Sequence, residues 1–150
     1  MAALLDANVL FALLWPAHSH HKRAQRWFAA HARRGWATTP LTQAAFVRLA
    51  SNSALTGVAV SPFEAAAILD ANLGHPGHQF WSADFGLSEA LRIVSAPILG
   101  YRQVTDAYLL ATAARHRARL VTFDRGVSEL VLDPAARARL IEVLEQPESK

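Results

Sequence analysis

Cysteine is absent from this chain of 150 residues, which excludes disulfides, thiolate zinc sites and cysteine nucleophiles together. That absence suits the cytosol, and a cytoplasmic location is the expectation. Lysine is nearly absent as well: Lys22 and Lys150 stand beside thirteen arginines among the fifteen cationic residues. No apolar run is long enough to span a bilayer, so no membrane insertion is expected. The first residues, MAALLDANVLFALLW, are apolar but lack a basic leader, and Asp6 and Asn8 interrupt them, which argues against a signal peptide. Internal repeats, linkers and low-complexity blocks are missing; Gln146–Lys150 reads as a short polar tail. One domain over residues 1–146 with a tail at 147–150 is expected, because this length supports one core and is short for two.

What is present is a globular composition with an excess of positive charge. Apolar residues make up 52% of the chain, too many for a disordered segment. The net charge is +3 and the isoelectric point about 10.0. Arginine forks match phosphate geometry, so a polyanionic partner is one reading of this bias. A GC-rich coding sequence, which favours Ala and Arg, is the other.

Strand-like and helix-like segments alternate. Ala2–Leu5 reads as a buried strand ending at Asp6. Residues 20–34 form a helical pattern with Ala24, Trp27, Phe28 and Ala32 on one face, stopped by Gly35. Trp36–Thr39 reads as a strand before Pro40, and Thr42 as the cap of a helix carrying Phe46, Val47 and Ala50. Ser61-Pro62-Phe63-Glu64 is a capping box with proline in the first turn, and Gly74 ends that helix. Gln79–Ser82 is a candidate strand. Thr105 is placed as the cap of a helix with Leu109, Leu110, Ala113 and Ala114 on one face. Leu120–Phe123 is a strand ending at Asp124, and Leu140–Leu144 the last strand, with a helix as the alternative. The alternation predicts an α/β domain with a mainly parallel sheet.

Two acids, Asp6 and Asp124, directly follow predicted strands, and ligands of open parallel sheets bind beyond the carboxyl ends of the strands. Asp106 falls in the first turn of the helix before the Asp124 strand. A short right-handed connection would bring that turn to the same edge, where the helix dipole favours an ionised carboxylate. Three carboxylates gathered there repel unless a cation lies between them. With oxygen ligands and no thiolate, the fitting ions are Mg²⁺ and Mn²⁺, whose chemistry suits phosphodiester hydrolysis. Taken singly, each acid also has a structural reading, as a strand end or a helix cap.

These residues resemble a family. L-L-D-A-N-V-L at the N-terminus, P-L-T-Q-A-A-F-V-R-L at 40–49, V-T-D-A-Y-L-L-A at 104–111 and L-V-T-F-D at 120–124 are together similar to PIN domains of the VapC toxin type. The resemblance runs in order over nearly the whole chain. It implies a PIN-like fold, a five-stranded parallel sheet flanked by helices, and a metal-dependent endoribonuclease silenced by a cognate VapB-like antitoxin. It carries the metal acids onto Asp6, Asp106 and Asp124, with Mg²⁺ or Mn²⁺ as cofactor and transfer or ribosomal RNA as the substrate class. It implies that the antitoxin brings a basic side chain to these acids; a homodimer is expected. The family usually has a glutamate where this sequence has Gln43. A glutamine carbonyl still accepts a hydrogen bond but brings no charge, so weaker metal affinity or slower turnover is expected.

Other signals are weaker. His18, His20 and His21 lack a clear fourth zinc ligand and read as solvated groups at the start of a helix. Within His75–Asp84, Trp81 reads as core, and Asp84 as either a support for the acids or a helix cap. Arg102 and Gln103, just before the Asp106 helix, are candidates for RNA phosphate contacts, with surface solvation as the alternative. Thr122 shares a strand face with Asp124 and is placed to orient a carboxylate. Arg115, Arg117 and Arg119 read as a solvated helix end favoured by the macrodipole. Two other enzyme classes fit poorly. A haloacid-dehalogenase-like phosphatase resembles D-x-D after the first strand, where Asp6-Ala7-Asn8 stands, and a receiver domain needs a lysine that LVTFDRG lacks. An inactive PIN-like module that only binds RNA or protein is the remaining alternative, and Gln43 is its support.

Overall fold

The computed structural model describes residues 1–94, 98 and 100–144; the expected domain boundary at 146 and the tail lie outside these. Five strands, β1 (Ala3–Leu5), β2 (Trp36–Thr38), β3 (His78–Phe80), β4 (Arg119–Thr122) and β5 (Ile141–Val143), form one sheet of order β3-β2-β1-β4-β5. Every neighbouring pair is parallel, with Leu4 opposite both Ala37 and Leu120, Ala37 opposite Gln79, and Leu120 opposite Ile141. The chain builds outward from β1 to β3 and then returns to β1's other side with β4. The order therefore reverses between β1 and β4, and the carboxyl ends of those two strands flank the crevice where such sheets take ligands.

Both faces of the sheet are buried, as a parallel sheet requires. Alternate residues of a strand point to opposite faces. Leu5 and Val121 accordingly join Val9, Leu10, Phe46 and Leu69 in one core layer. Leu4 and Leu120 join Leu109, Leu110 and Leu130 in the other. The first layer is covered by α1 (Ala7–Leu14), α2 (His21–His31), α3 (Pro40–Ala50) and α5 (Pro62–Leu73), and the second by α7 (Val104–Arg115) and α8 (Pro134–Leu140). Two short helices, α4 (Ser53–Thr56) and α6 (Leu87–Ile93), complete the described set. No helix of the described residues is long and apolar enough to cross a membrane.

Local chemistry sets the boundaries. Ser61 and Glu64 form the expected capping box on α5. For α3 the cap is Thr39, one residue before Pro40, and Thr42 is its partner inside the helix rather than the cap itself. Thr105 is likewise inside α7, which follows a 3₁₀ turn at Tyr101–Gln103 and has Gln103 at its cap position, so the expected Thr105 cap is two residues too late. Gly35 has φ of 99°, and a Cβ there would meet Gln79 Nε2 at 2.7 Å, so glycine is required where α2's 3₁₀ extension turns into β2.

α7 ends in a Schellman motif: Ala118 N–H donates to Ala113 carbonyl at 2.8 Å and Arg117 N–H to Ala114 carbonyl at 3.1 Å. The left-handed residue of that motif is normally glycine, but here it is Arg117 with φ of 52°. The expected solvated helix end is therefore divided: Arg115 closes the helix, Arg117 makes the turn and Arg119 opens β4. Arg117→Gly is expected to stabilise the fold by about 0.5–1 kcal/mol, the strain relieved exceeding the backbone entropy lost. A urea melt checks this; a lowered midpoint would mean that the arginine side chain holds the turn.

Candidate active site

Asp6 leaves β1 and opens α1. Its carboxylate takes a hydrogen bond from Ala7 N–H at 2.7 Å and another from the Thr122 hydroxyl at 2.7 Å. Thr122 is the last residue of β4 and is fully buried. A threonine hydroxyl has one proton to give and two lone pairs. Here the proton goes to Asp6, while the oxygen accepts from Asp124 N–H at 3.0 Å and from the Asn8 amide at 3.4 Å. Asn8 Oδ1 in turn accepts from Phe123 N–H at 3.3 Å. The Thr122–Asn8 pair thus fastens the end of β1 to the end of β4. Thr122 does orient a carboxylate, as its place on the strand suggested, though of the neighbouring strand. The role of Asn8 was missed; its only sequence signal is a second polar residue in an otherwise apolar run.

Asp124 is exposed, and its carboxylate accepts from Gly126 N–H at 2.8 Å. Asp106 lies in the first turn of α7, partly buried. The three acids share one electrostatic environment. Burial first, then the charges of Asp6 and Asp124, push the Asp106 carboxyl up to about 6. Asp6 is also raised, chiefly by burial; the bonds from Thr122 and Ala7 oppose this and the charge of Asp124 adds to it. Mutual repulsion of this kind is what a cation between carboxylates relieves.

The donor set is all oxygen and fits a hard divalent ion. No three His, Cys, Asp or Glu side chains among the described residues are grouped so as to hold a metal ion, and Asp6 and Asp124 instead satisfy nearby N–H and O–H groups. Mg²⁺ does not demand a finished cage, since it keeps several waters and binds through one or two carboxylates.

Gln43, in the second turn of α3, is not drawn to the acids. Its amide donates to the Thr38 hydroxyl at 3.0 Å. The same hydroxyl lies 2.8 Å from His78 Nε2. Burial, and to a smaller extent His75, pushes the His78 ring below its usual range, with the Leu73 backbone bond opposing.

The remaining candidates are placed as follows. Arg102 is exposed, with Nε donating to the Tyr101 hydroxyl at 3.3 Å. Gln103 caps α7 through the backbone and carries no side-chain cap bond there. Asp84 is exposed, and α6 is capped by Gly86 instead. Trp81 is core and stacks on His116, ring centroids 3.9 Å apart. The histidine cluster is a packed turn: His21 bonds the Ala12 carbonyl at 2.8 Å, and His20 N–H donates to His18 Nδ1 at 3.0 Å. His20 also rests on Phe123, beside Asp124, with ring centroids 5.1 Å apart. Burial, then His20 and His21, pushes His18 down.

This is a parallel α/β domain with Asp6 and Asp124 directly after the two strands at which the order reverses and Asp106 in the first turn of α7, near enough for their charges to be felt there. The PIN domain model matches residues 3–131, and the chain belongs to that family. Ribonuclease VapC39 of Mycobacterium tuberculosis is 45% identical over 144 residues, covering 96% of this chain and 100% of that one. Ribonuclease VapC38 of the same organism is 44% identical over 144 residues, covering 95% and 99%. Among solved structures, VapBC2 from Rickettsia felis bound to a DNA fragment from its promoter superposes with a TM-score of 0.64. That match covers 97% of this chain and 100% of the other at 14% identity, which speaks for the fold alone.

Proposed function

We propose that this protein is a metal-dependent endoribonuclease, the VapC-type toxin of a toxin–antitoxin pair. What supports the reading is the placement of Asp6 and Asp124 at the ends of β1 and β4 beside the switch point, with Asp106 in the first turn of α7 and the charges of these acids adding to the rise of Asp6 and Asp106. The VapC ribonucleases that share over two fifths of its residues support the substrate class. Asp6, Asp106 and Asp124 would hold Mg²⁺ or Mn²⁺, directly or through water. When bound, such an ion neutralises charge on the phosphate and acidifies a water for attack on phosphorus. Asp6 is the fixed point of the site, since Thr122 and Ala7 hold both its oxygens. Asp106 is half-buried and Asp124 exposed, and the α7 dipole supports the Asp106 charge. Arg102 and Gln103, just ahead of Asp106, contact RNA phosphate in this reading.

The protein acts in the cytoplasm as a homodimer, on transfer or ribosomal RNA, and is silenced by a VapB-like antitoxin. That partner presents a basic side chain to the acids, because an arginine–carboxylate pair would displace the cation. Induced expression is expected to arrest growth and create new RNA 5′ ends, and co-expression of the adjacent small reading frame to restore growth. Harmless expression with no neighbouring inhibitor would rule out the toxin assignment.

One observation favours the alternative of a weak or inactive PIN-like module: Gln43 is turned to Thr38 and His78. Gln43→Glu restores a carboxylate at the family's position. Its expected effect is Mn²⁺ binding tighter by about fivefold, on the order of 1 kcal/mol for one added charge near the ion, read by calorimetry. Unchanged affinity would leave Gln43 as a brace for Thr38 only.

A further inference from the structure

In a parallel sheet, segments entering the strands collect at one edge and segments leaving them at the other. The aspartates occupy the leaving edge. The entering edge carries arginines: Arg33 and Arg34 just ahead of β2, Arg117 and Arg119 at the start of β4, and Arg139 just ahead of β5. Arg34 and Arg119 line one cleft of about 160 Å³ together with Glu142. Arg119 Nε donates to the Arg139 carbonyl at 3.4 Å, which brings the α8–β5 junction to the same place. Glu142 is the acid here, and it lies 3.7 Å from Arg119. Arg33, Arg34, Arg117 and Arg139 are exposed and have no ion-pair partner among the described residues.

Two features point to a ligand for this edge. Arg117 is the non-glycine residue held at positive φ among the described residues, so a cation stands on strained backbone where glycine would fit better. The arginines also precede or open β2, β4 and β5, with β1 between β2 and β4, and strands lie about 4.8 Å apart, which makes a row roughly 14 Å long. Between them the edge is built from Ala2, Gly35 and Ala118, which meet through Ala3 N–H to Gly35 carbonyl and Arg119 N–H to Ala2 carbonyl. The large apolar side chains lining the cleft are Met1 and Trp27, and Trp27 is buried, which leaves little exposed apolar surface of the kind that anchors a protein interface. A row of unpaired guanidinium forks without an apolar centre fits a phosphate backbone.

We propose that this arginine edge is a second RNA-contacting surface, which holds the phosphate backbone of a structured RNA on the side of the domain opposite the cleavage site. The proposal rests on the ribonuclease reading. It gives the edge a role in affinity for large RNAs and none in the chemistry, because the aspartates lie at the opposite ends of the strands.

The test compares Arg33→Ala/Arg34→Ala/Arg117→Gly/Arg139→Ala with its parent, both carrying Asp6→Asn to silence cleavage. The probes are unfractionated transfer RNA and a single-stranded hexanucleotide, each titrated across a range of salt. Transfer RNA affinity is expected to fall about tenfold or more, and the slope of log K against log salt by about three for four lost cations. Hexanucleotide affinity stays within about twofold of the parent. Arg117→Gly alone separates binding from folding: it raises the melting midpoint by about 2–4 °C while weakening transfer RNA binding. Unchanged transfer RNA affinity and slope, or equal losses for both probes, overturn the proposal and leave the ribonuclease reading standing. Loss of affinity for the antitoxin but not for RNA would assign the edge to protein and also overturn it. A parent that binds neither RNA ends the ribonuclease reading and this proposal together.

Discussion

Asp6→Asn is expected to lower the rate of RNA cleavage by on the order of 10³, because it removes about 4 kcal/mol of charge stabilisation from the reaction. The substitution is nearly isosteric, and the amide carbonyl can still accept from Thr122 or Ala7, so the Thr122–Asn8 fastening of β1 to β4 survives. What changes is the charge. A buried carboxylate with a like charge beside it is costly to keep ionised; capping α1 and accepting from Thr122 need only acceptor atoms, so the negative charge itself bears on a cation. The expected result is therefore a folded protein with an unchanged circular dichroism spectrum, intact affinity for RNA and almost no turnover. Activity retained within threefold would move the chemistry away from Asp6.

Asp106→Asn is expected to act in opposite directions on stability and on metal response. The Asp106 carboxyl is raised to about 6 from an ordinary value of 3.8. A raised acid contributes stability that is fully present below the unfolded value and is lost as pH rises through the folded one. The Asp106 contribution to the metal-free protein should thus be larger near pH 5 than at pH 7.5, opposite in sign to that of the depressed His18 and His78. Asp106→Asn should remove much of that slope and be the more stable form in chelator at pH 7.5. Because Asp106 is only partly buried, solvent screening reduces the gain to about 1 kcal/mol, or roughly 2–4 °C in the melting midpoint. Saturating Mn²⁺ should reverse the ranking. At a hundredfold excess over Kd, binding stabilises the parent by about 2.7 kcal/mol, and the variant, lacking one ligand, should gain much less. A parent melt indifferent to millimolar Mn²⁺ would count against a formed site.

The strands that matter for chemistry were legible because each is a short apolar run closed by an aspartate. The buried ends of β1 and β4 could be placed to within a residue or so, and with them Asp6 and Asp124. Asp106 was legible as a first-turn acid even though its helix begins one residue before the expected cap. α1 was not legible: Val9, Leu10, Phe11 and Ala12 are all buried in consecutive order, so no polar face exists to give a 3.6-residue period. The capping of α3 was misplaced by three residues because Thr39 and Thr42 bond each other reciprocally, and either reads as the cap in sequence. Gln43 was placed by resemblance, but the direction of its side chain depends on Thr38 and on His78 across the β2–β3 pair, a contact no local pattern encodes. Asp84 failed as a cap because the chain reaches Gly86 before the helix starts.

The most direct test of the central claim, that the aspartate cluster is the catalytic centre, is end-group analysis of cleaved RNA with and without chelator. Water attacking in line with a departing 3′ oxygen leaves a 5′-phosphate and a 3′-hydroxyl. The account predicts that cleavage stops in EDTA, returns with Mn²⁺, and yields ends that ligate directly to an adaptor requiring a 5′-phosphate. Attack by the RNA's own 2′-hydroxyl, with His18, His21 or His78 as acid and base, would instead leave a 2′,3′-cyclic phosphate. Cyclic-phosphate ends formed in excess EDTA would contradict the account.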